Sequence, residues 1–364
     1  MIHSQNKELY GENGRIVDNV RVDLTENRKK GKSQFASEED VTLNFVKLRK
    51  KYWKPASLFW NLASCVILVL ALLENLLIPN QQDVNDRSYQ IFMMLFLLYQ
   101  ISGTLLSLRL GKIRFRFGHK ARFIVLIGLL LIVSDLLTEK FGILQLPFYV
   151  SFAQILDTLV EDRTLLFQST VSSLFLWMTS FIIGSVIGIA IGLLVGRYRE
   201  FNYWSFPILK VIGIIPAAAW MPIAMILFPT SFLSEVFLIV LSVWFPVAFM
   251  TMGGVQGISK TYFEAAETLG ANEYYVLRHV IIPGAMPSIF IGIFTATGLS
   301  FTMLVVSEMI GAKAGLGWYI NWAKGVGNYG QVYTAILIMA VLFSLIFALI
   351  LRAQDYFLKW KENY

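Results

Sequence analysis

Eight apolar runs recur along this sequence, each close to the ~20 residues needed to cross the hydrocarbon core of a bilayer. They cover approximately Ser57–Ile78, Ile91–Leu110, Arg122–Leu137, Thr170–Val195, Ile208–Phe228, Ser234–Met252, Pro287–Ile310 and Tyr333–Leu351. Inside lipid no water satisfies backbone N–H and C=O groups, so such runs must close their own hydrogen bonds as helices. That requirement predicts an all-α polytopic membrane protein. Composition agrees: 56% of the 364 residues are hydrophobic and only 15% are charged, against about 25% charged in soluble domains.

Charge placement orients the runs. The net charge of +7 does not point to nucleic acid, because the basic residues gather at the ends of apolar runs, where they act as topology signals. With the N-terminus inside, Arg109, Lys112, Arg114, Arg116, Lys120, Arg122, Arg197, Arg199, Lys210, Lys260, Arg278, Arg352, Lys359 and Lys361 all fall on the cytoplasmic side. Both termini are then expected in the cytoplasm of a multi-pass cell-membrane protein. Residues 1–56 form a basic tail, with Arg28-Lys29-Lys30 and Lys47-x-Arg49-Lys50-Lys51 placed to meet anionic lipid. They contain no apolar core of a secretory signal. The single Cys65 and the scattered His3, His119 and His279 support neither a disulfide framework nor a metal site.

Several runs carry internal marks. The third is short and is followed by an amphipathic stretch, Pro147 to Gln168, with Phe152, Ile155, Leu156, Leu159 and Val160 on one side. The fourth places Gly184, Gly188, Gly192 and Gly196 at four-residue spacing, a ridge that lets another helix approach closely, within the chain or across a dimer seam. Pro216 and Pro222 flank Trp220 in the fifth, and Pro246 is expected to interrupt the sixth. Proline frees backbone carbonyls, and irregular backbone at membrane depth is tolerated when it is enclosed or lines a cavity. Pro216, Trp220, Pro222 and Pro246 are therefore candidate pathway residues, with a plain structural kink as the competing reading. Glu308 is the one acidic residue that the sequence places deep in the later spans, and buried carboxylates there are often functional or paired.

The polar loop Thr261 to Pro283, TYFEAAETLGANEYYVLRHVIIP, separates two strongly apolar segments. Thr261 and Glu264 have the spacing of a capping box. Tyr262, Phe263, Ala266 and Leu269 then recur at helical spacing, and Gly270 stands where a left-handed residue closes a helix. A helix of about eight residues is marginal alone, so it must be held by packing. Ala265 and Ala266 offer a low face to another protein surface. Asn272 can cap a second short helix, and Pro283, Gly284 and Pro287 are expected to break the chain before the next apolar run.

Glu264-Ala265-Ala266, then Gly270, then Val280-x-Ile282-Pro283 resembles the EAA signature of the membrane subunits of binding-protein-dependent ABC importers. Ser307 to Tyr319, with Glu308-Met309 and Gly315-Leu316-Gly317, resembles a segment of the nitrate, sulfonate, taurine and bicarbonate branch. The resemblance covers approximately Phe123 to Arg352. It implies a six-helix type I importer core, residues 123–364, preceded by two extra transmembrane helices in residues 57–122. It also implies that the loop of about 256–286 forms a coupling helix, with Glu264, Ala265, Ala266, Gly270 and Pro283 carrying the contact to an ATPase. Implied partners are two ABC ATPase subunits, a second permease copy or homologue, and an extracytoplasmic substrate-binding protein.

No phosphate-cradling GxxxxGK[ST] motif and no paired catalytic residues occur in the sequence, so this chain is expected to be no enzyme. ATP and Mg²⁺ belong on the partner ATPases, and no cofactor is expected here. For Glu308 a structural hydrogen-bonding role competes with proton coupling, which would need a second titrating partner. The family branch implies a small anion or small organic solute. A thiamine-precursor-like solute, or a nucleotide-independent secondary transporter or channel, stands as the alternative.

Overall fold

The computed structural model describes residues 58–81, 84–109, 111–144 and 146–358, so the basic tail, Lys359 and Lys361 lie outside the described residues. Helices account for the described secondary structure: α1 Leu58–Leu77, α2 Arg87–Arg109, α3 Gly111–Asp135, α4 Phe152–Glu161, α5 Arg163–Arg197, α6 Arg199–Ile214, α7 Met221–Leu227, α8 Ser231–Gln256, α9 Lys260–Thr268, α10 Glu273–Val276, α11 Ile282–Gly311, α12 Leu316–Gly325 and α13 Tyr329–Phe357. Seven of the described helices are long and apolar enough to cross a membrane.

The eighth expected span is bent. It comprises α6 and the segment Ala217–Leu227, which meet at 89°. The cause is local: Pro216 has no backbone N–H, and the residue before a proline is pushed out of the helical region. Ile215 accordingly sits at φ −78°, ψ 119°, and a short 3₁₀ turn, Ala217–Trp220, leads into α7. Pro246 behaves differently. It lies inside an uninterrupted α8, contrary to the expected break, and its missing N–H leaves only the Ser242 carbonyl without its helical donor.

The described residues form two compact units. In the smaller, residues 58–64 and 102–124, the Arg122 guanidinium stacks over the Trp60 ring at 5.3 Å. In the larger, residues 65–101 and 125–358, α8 packs along both α5 and α11. The glycine ridge makes the first of these packings possible. A Cβ on Gly188 would lie 2.7 Å from the Trp244 carbonyl oxygen, and one on Gly192 2.6 Å from that of Ala248. Gly184 and Gly196 meet Val243 and Val255 in the same way. The ridge is thus filled by α8 of the same chain. Around it Leu176, Trp177, Leu238, Ile239, Val243, Ala296, Phe301 and Leu304 form the main core, and the Trp177 indole donates to Ser300 Oγ at 2.8 Å.

The larger unit also holds a polar cluster that the sequence did not announce. The π turn Leu136–Lys140 ends α3 and buries Lys140. Its ammonium donates to the carbonyls of Asn75 at 3.2 Å and Ile78 at 2.8 Å, and to Asn80 Oδ1 at 2.5 Å, fastening the end of α1 to the end of α3. Asn85 and Ser88 at the start of α2 both donate to Asp157 on α4.

Candidate functional site

Functional features gather at two opposite ends of the helices, the loop end at residues 257–281 and the far end around residues 229–235 and 307–319. At the loop end, α9 begins at Lys260, with Ser259 as N-cap making no side-chain cap bond. The expected capping box is therefore not formed, because Thr261 lies inside the helix; Ser259 Oγ instead donates to Thr261 Oγ1 at 3.3 Å. The other end closes as expected. Gly270 adopts φ +72°, its N–H bonds the Glu267 carbonyl at 2.9 Å, and the Ala271 N–H bonds that of Ala266 at 3.0 Å. Together these make a Schellman motif. Asn272 Oδ1 then accepts from the Tyr275 N–H at 2.8 Å and starts α10.

The expected break at Pro283, Gly284 and Pro287 does not occur. A π turn, Leu277–Ile281, joins α10 to α11, and the three residues lie within α11. Pro283 has no N–H to offer the carbonyl four residues back, and the wider turn, closed by Ile282 N–H to Leu277 O, carries the chain past it.

The two alanines of the EAA sequence differ in burial. Ala266 is buried with Val255, Val276, Ile281, Ala285 and Ile289, so it seats α9 on the ends of α8 and α11. Ala265 is exposed, on the same stripe as Tyr262 and Leu269, whose exposures are 65% and 86%. Glu264 is also exposed. A cleft of about 600 Å³ opens beside Tyr262, lined by Gly253, Gly254, Gly257, His279, Pro283 and Gly284.

Arg197, at the end of the glycine-bearing α5, holds this platform. Its guanidinium lies 3.5 Å from Glu273 and 5.1 Å from the centre of the Phe263 ring, so a single side chain reaches both α9 and α10. The neighbouring Tyr198 hydroxyl donates to Glu273 Oε2 at 2.9 Å, and that hydrogen bond raises its pKa. His279 stacks on Tyr275 at the exposed surface.

At the far end Glu308 is buried and Oε2 accepts the Gly317 N–H at 2.8 Å. Gly315 has φ +131°, and a Cβ there would fall 2.4 Å from Glu308 Oε1. The Leu316 N–H donates to Ser173 Oγ at 2.8 Å. The Glu308 carboxylate and the Gly315-Leu316-Gly317 turn are thus one packed unit, which explains why small residues flank Leu316. Asp162 ties the same end together by accepting from the Tyr319 hydroxyl at 2.5 Å and from Gln331 Nε2 at 2.6 Å. Burial, and then the bond to Asp162, pushes the Tyr319 phenol up.

Between the ends lies a cleft of about 310 Å³ lined by Pro216, Ala217, Ser242, Phe245, Pro246 and Thr302. Pro216 and Pro246 are therefore brought together, on either side of one space. Trp220 packs against the main core, and Pro222 is exposed on α7. Neither lines this cleft, and nor does Glu308.

Residues 163–362, from the start of α5 onward, match the family model described as the binding-protein-dependent transport system inner membrane component. The chain belongs to that family. It is 30% identical over 184 residues to the putative aliphatic sulfonates transport permease protein SsuC of Bacillus subtilis, covering 50% of this chain and 67% of that protein. It is 31% identical over 200 residues to the bicarbonate transport system permease protein CmpB of Synechococcus elongatus, covering 55% and 69%. The taurine transport system permease protein TauC of Escherichia coli is 30% identical over 181 residues, covering 50% and 66%. Among solved structures, the MetNI methionine ABC transporter in inward-facing conformations aligns with a TM-score of 0.46 and 21% identity, over 54% of this chain and 98% of that one.

Among the described residues, Asp135, Glu139 and Glu235 are buried carboxylates that sequence reasoning missed, and Glu235 is the one in the later helices. Glu235 lies in the second turn of α8 and is 5% exposed, so Glu308 is not the only acidic residue embedded in the later helices. Its Oε1 has no hydrogen-bond partner, and a Cβ on Gly311, one turn beyond Glu308, would lie 3.6 Å from it. The short spacing after Pro229 and Thr230 makes Glu235 read as the edge of a span. Only the length of α8, which starts at Ser231, draws it inward.

Proposed function

We propose that this permease is the membrane-spanning subunit of an ATP-driven importer for a small solute of the nitrate, sulfonate, taurine or bicarbonate kind. The observation that carries this reading is the exposed stripe of Tyr262, Ala265 and Leu269 on a helix that is seated on the membrane helices along its adjoining side, through Ala266 and Phe263. An apolar stripe in water is a docking surface, and one rigidly seated on two long helices can transmit a push to them. Two ATP-binding subunits, each holding ATP and Mg²⁺, would grip such loops on this chain and on a second permease copy or homologue. Positive charge at the loop end supports a cytoplasmic position for that end and for both termini.

In this reading Glu264, Ala265 and Leu269 meet the ATPase, Ala266 and Gly270 shape the helix, and Pro283 sits where the push enters α11. Closure of the ATPases shifts the equilibrium between inward- and outward-facing states, because nucleotide and the solute-loaded binding protein favour different states. The cleft between Pro216 and Pro246 is part of the solute path. Residues 57–122 are an addition to the transport core, placed to hold the basic tail near the cytoplasmic surface. Affinity purification of the tagged permease from gently solubilised membranes tests the reading. A stoichiometric ATPase chain is expected, and a permease that transports without one would overturn it.

A further inference from the structure

Two cavities at the far end share Glu235, together with Pro229, Thr230 and Ser231. The first, about 220 Å³, is also lined by Met221, Met225, Ser234 and Ser307. The second, about 510 Å³, is lined in addition by Ser172, Phe175 and Lys313. Glu235 is thus 95% buried by its 5% exposure, stands where the two spaces meet, and has an oxygen without any protein donor.

The contrast with Glu308 defines what is missing. Glu308 Oε1 is also without a partner, but Oε2 receives a backbone N–H and the glycine turn encloses the group, so its carboxylate is part of the fold. Glu235 makes no ion pair among the described residues. A carboxylate held away from water without donors is costly, and sites that keep one generally use it to receive a donor or a positive charge. Two of the hydroxyls around it do not fill that role. Ser234 Oγ donates to the Ala224 carbonyl at 3.0 Å, and Ser307 Oγ donates to that of Leu304 at 3.0 Å. Their protons are committed, so both present lone pairs to the first cavity. A simple inorganic anion would meet the Glu235 carboxylate there. Lys313, exposed at the second cavity, brings a positive charge to that space.

We propose that Glu235 binds a protonated or N–H-rich nitrogen of the transported solute, so that the substrate is an amine-bearing zwitterion or cation and not a bare anion. This rests on the importer reading above and narrows its substrate class. The nitrogen donates to the Glu235 carboxylate and to the Ser234 and Ser307 oxygens, and an acidic group on the same solute faces Lys313.

The test uses the full-length permease in detergent, which needs no ATPase, so it fails independently of the co-purification experiment. Thermal stabilisation is measured with matched probes that differ only by amino for hydroxyl: taurine against isethionate, and β-alanine against 3-hydroxypropanoate. Nitrate and bicarbonate complete the set. At least one amino probe should stabilise the protein where its hydroxyl twin does not. Glu235→Gln should weaken that apparent Kd at least about tenfold while Glu235→Asp retains part of it. Equal or better stabilisation by hydroxyl probes or inorganic anions, no response to any probe, or an unchanged amino preference in a folded Glu235→Gln variant would each overturn the proposal.

Discussion

The two ends of the permease solve opposite problems. At the far end, Glu308, Asp162 and the Gly315-Leu316-Gly317 turn bury polar groups against one another, as a framework behind the cavities at Glu235. At the loop end, Tyr262, Leu269 and Tyr274 stand in the open, and a few polar ties through Arg197, Tyr198 and Asn272 hold the platform. The difference teaches where tolerance to change should lie. Substitutions in that buried framework and along the glycine ridge should act through folding, whereas those at the loop end should leave the fold intact and act on assembly or coupling.

The largest expected effect is at the glycine ridge. Gly192→Leu would place a side chain where the Ala248 carbonyl already stands, and α5 and α8 cannot separate without opening the core. Overpacking of this kind costs about 1–3 kcal/mol or more, and little monodisperse protein should survive size-exclusion chromatography. Gly315→Val comes next, because it combines a left-handed φ of +131° with a clash against the Glu308 carboxylate. Backbone strain alone contributes about 1–3 kcal/mol, so the thermal midpoint of the purified permease should fall sharply. If either variant is as stable as the parent, the buried framework is not what organises the far end.

Smaller effects should follow at the loop end. Arg197→Met removes a partly exposed ion pair and a cation–π contact, each worth about 1 kcal/mol or less. Stability should barely change, while ATP hydrolysis in the reconstituted complex should become less dependent on solute-loaded binding protein. Gly270→Ala is the mildest. No atom lies within 4 Å of its Cβ position, so only the φ of +72° opposes it, at a cost of about 1 kcal/mol. Faster amide exchange at the end of α9, with the membrane helices unaffected, would show that strain.

Much of this contrast was legible in the sequence. Apolar runs announce membrane helices because lipid leaves the backbone no alternative. The glycine spacing and the left-handed Gly270 follow from equally local constraints. What escaped depends on contacts distant in sequence or on turns that sequence does not fix. Thr261 has the right spacing for a cap, yet helix α9 starts one residue earlier. Pro283 and Pro287 look like breakers until the π turn at Leu277–Ile281 absorbs the first of them. Nothing local separates Ala265 from Ala266, although α8 and α11 bury only the second. Glu235 looked like a polar residue at a span edge, and Lys140 finds its acceptors more than fifty residues away, at Asn75, Ile78 and Asn80.

The central claim is that the exposed stripe of α9 grips an ATPase while its buried face drives the membrane helices. The most direct measurement is recovery of the ATPase chain with a tagged permease carrying Tyr262→Glu and Leu269→Glu together, compared with the parent at matched expression. Both side chains are exposed, so the variant should insert, fold and melt like the parent, yet bring down little or no ATPase and sustain no uptake. Full recovery of the ATPase with normal uptake would contradict the account.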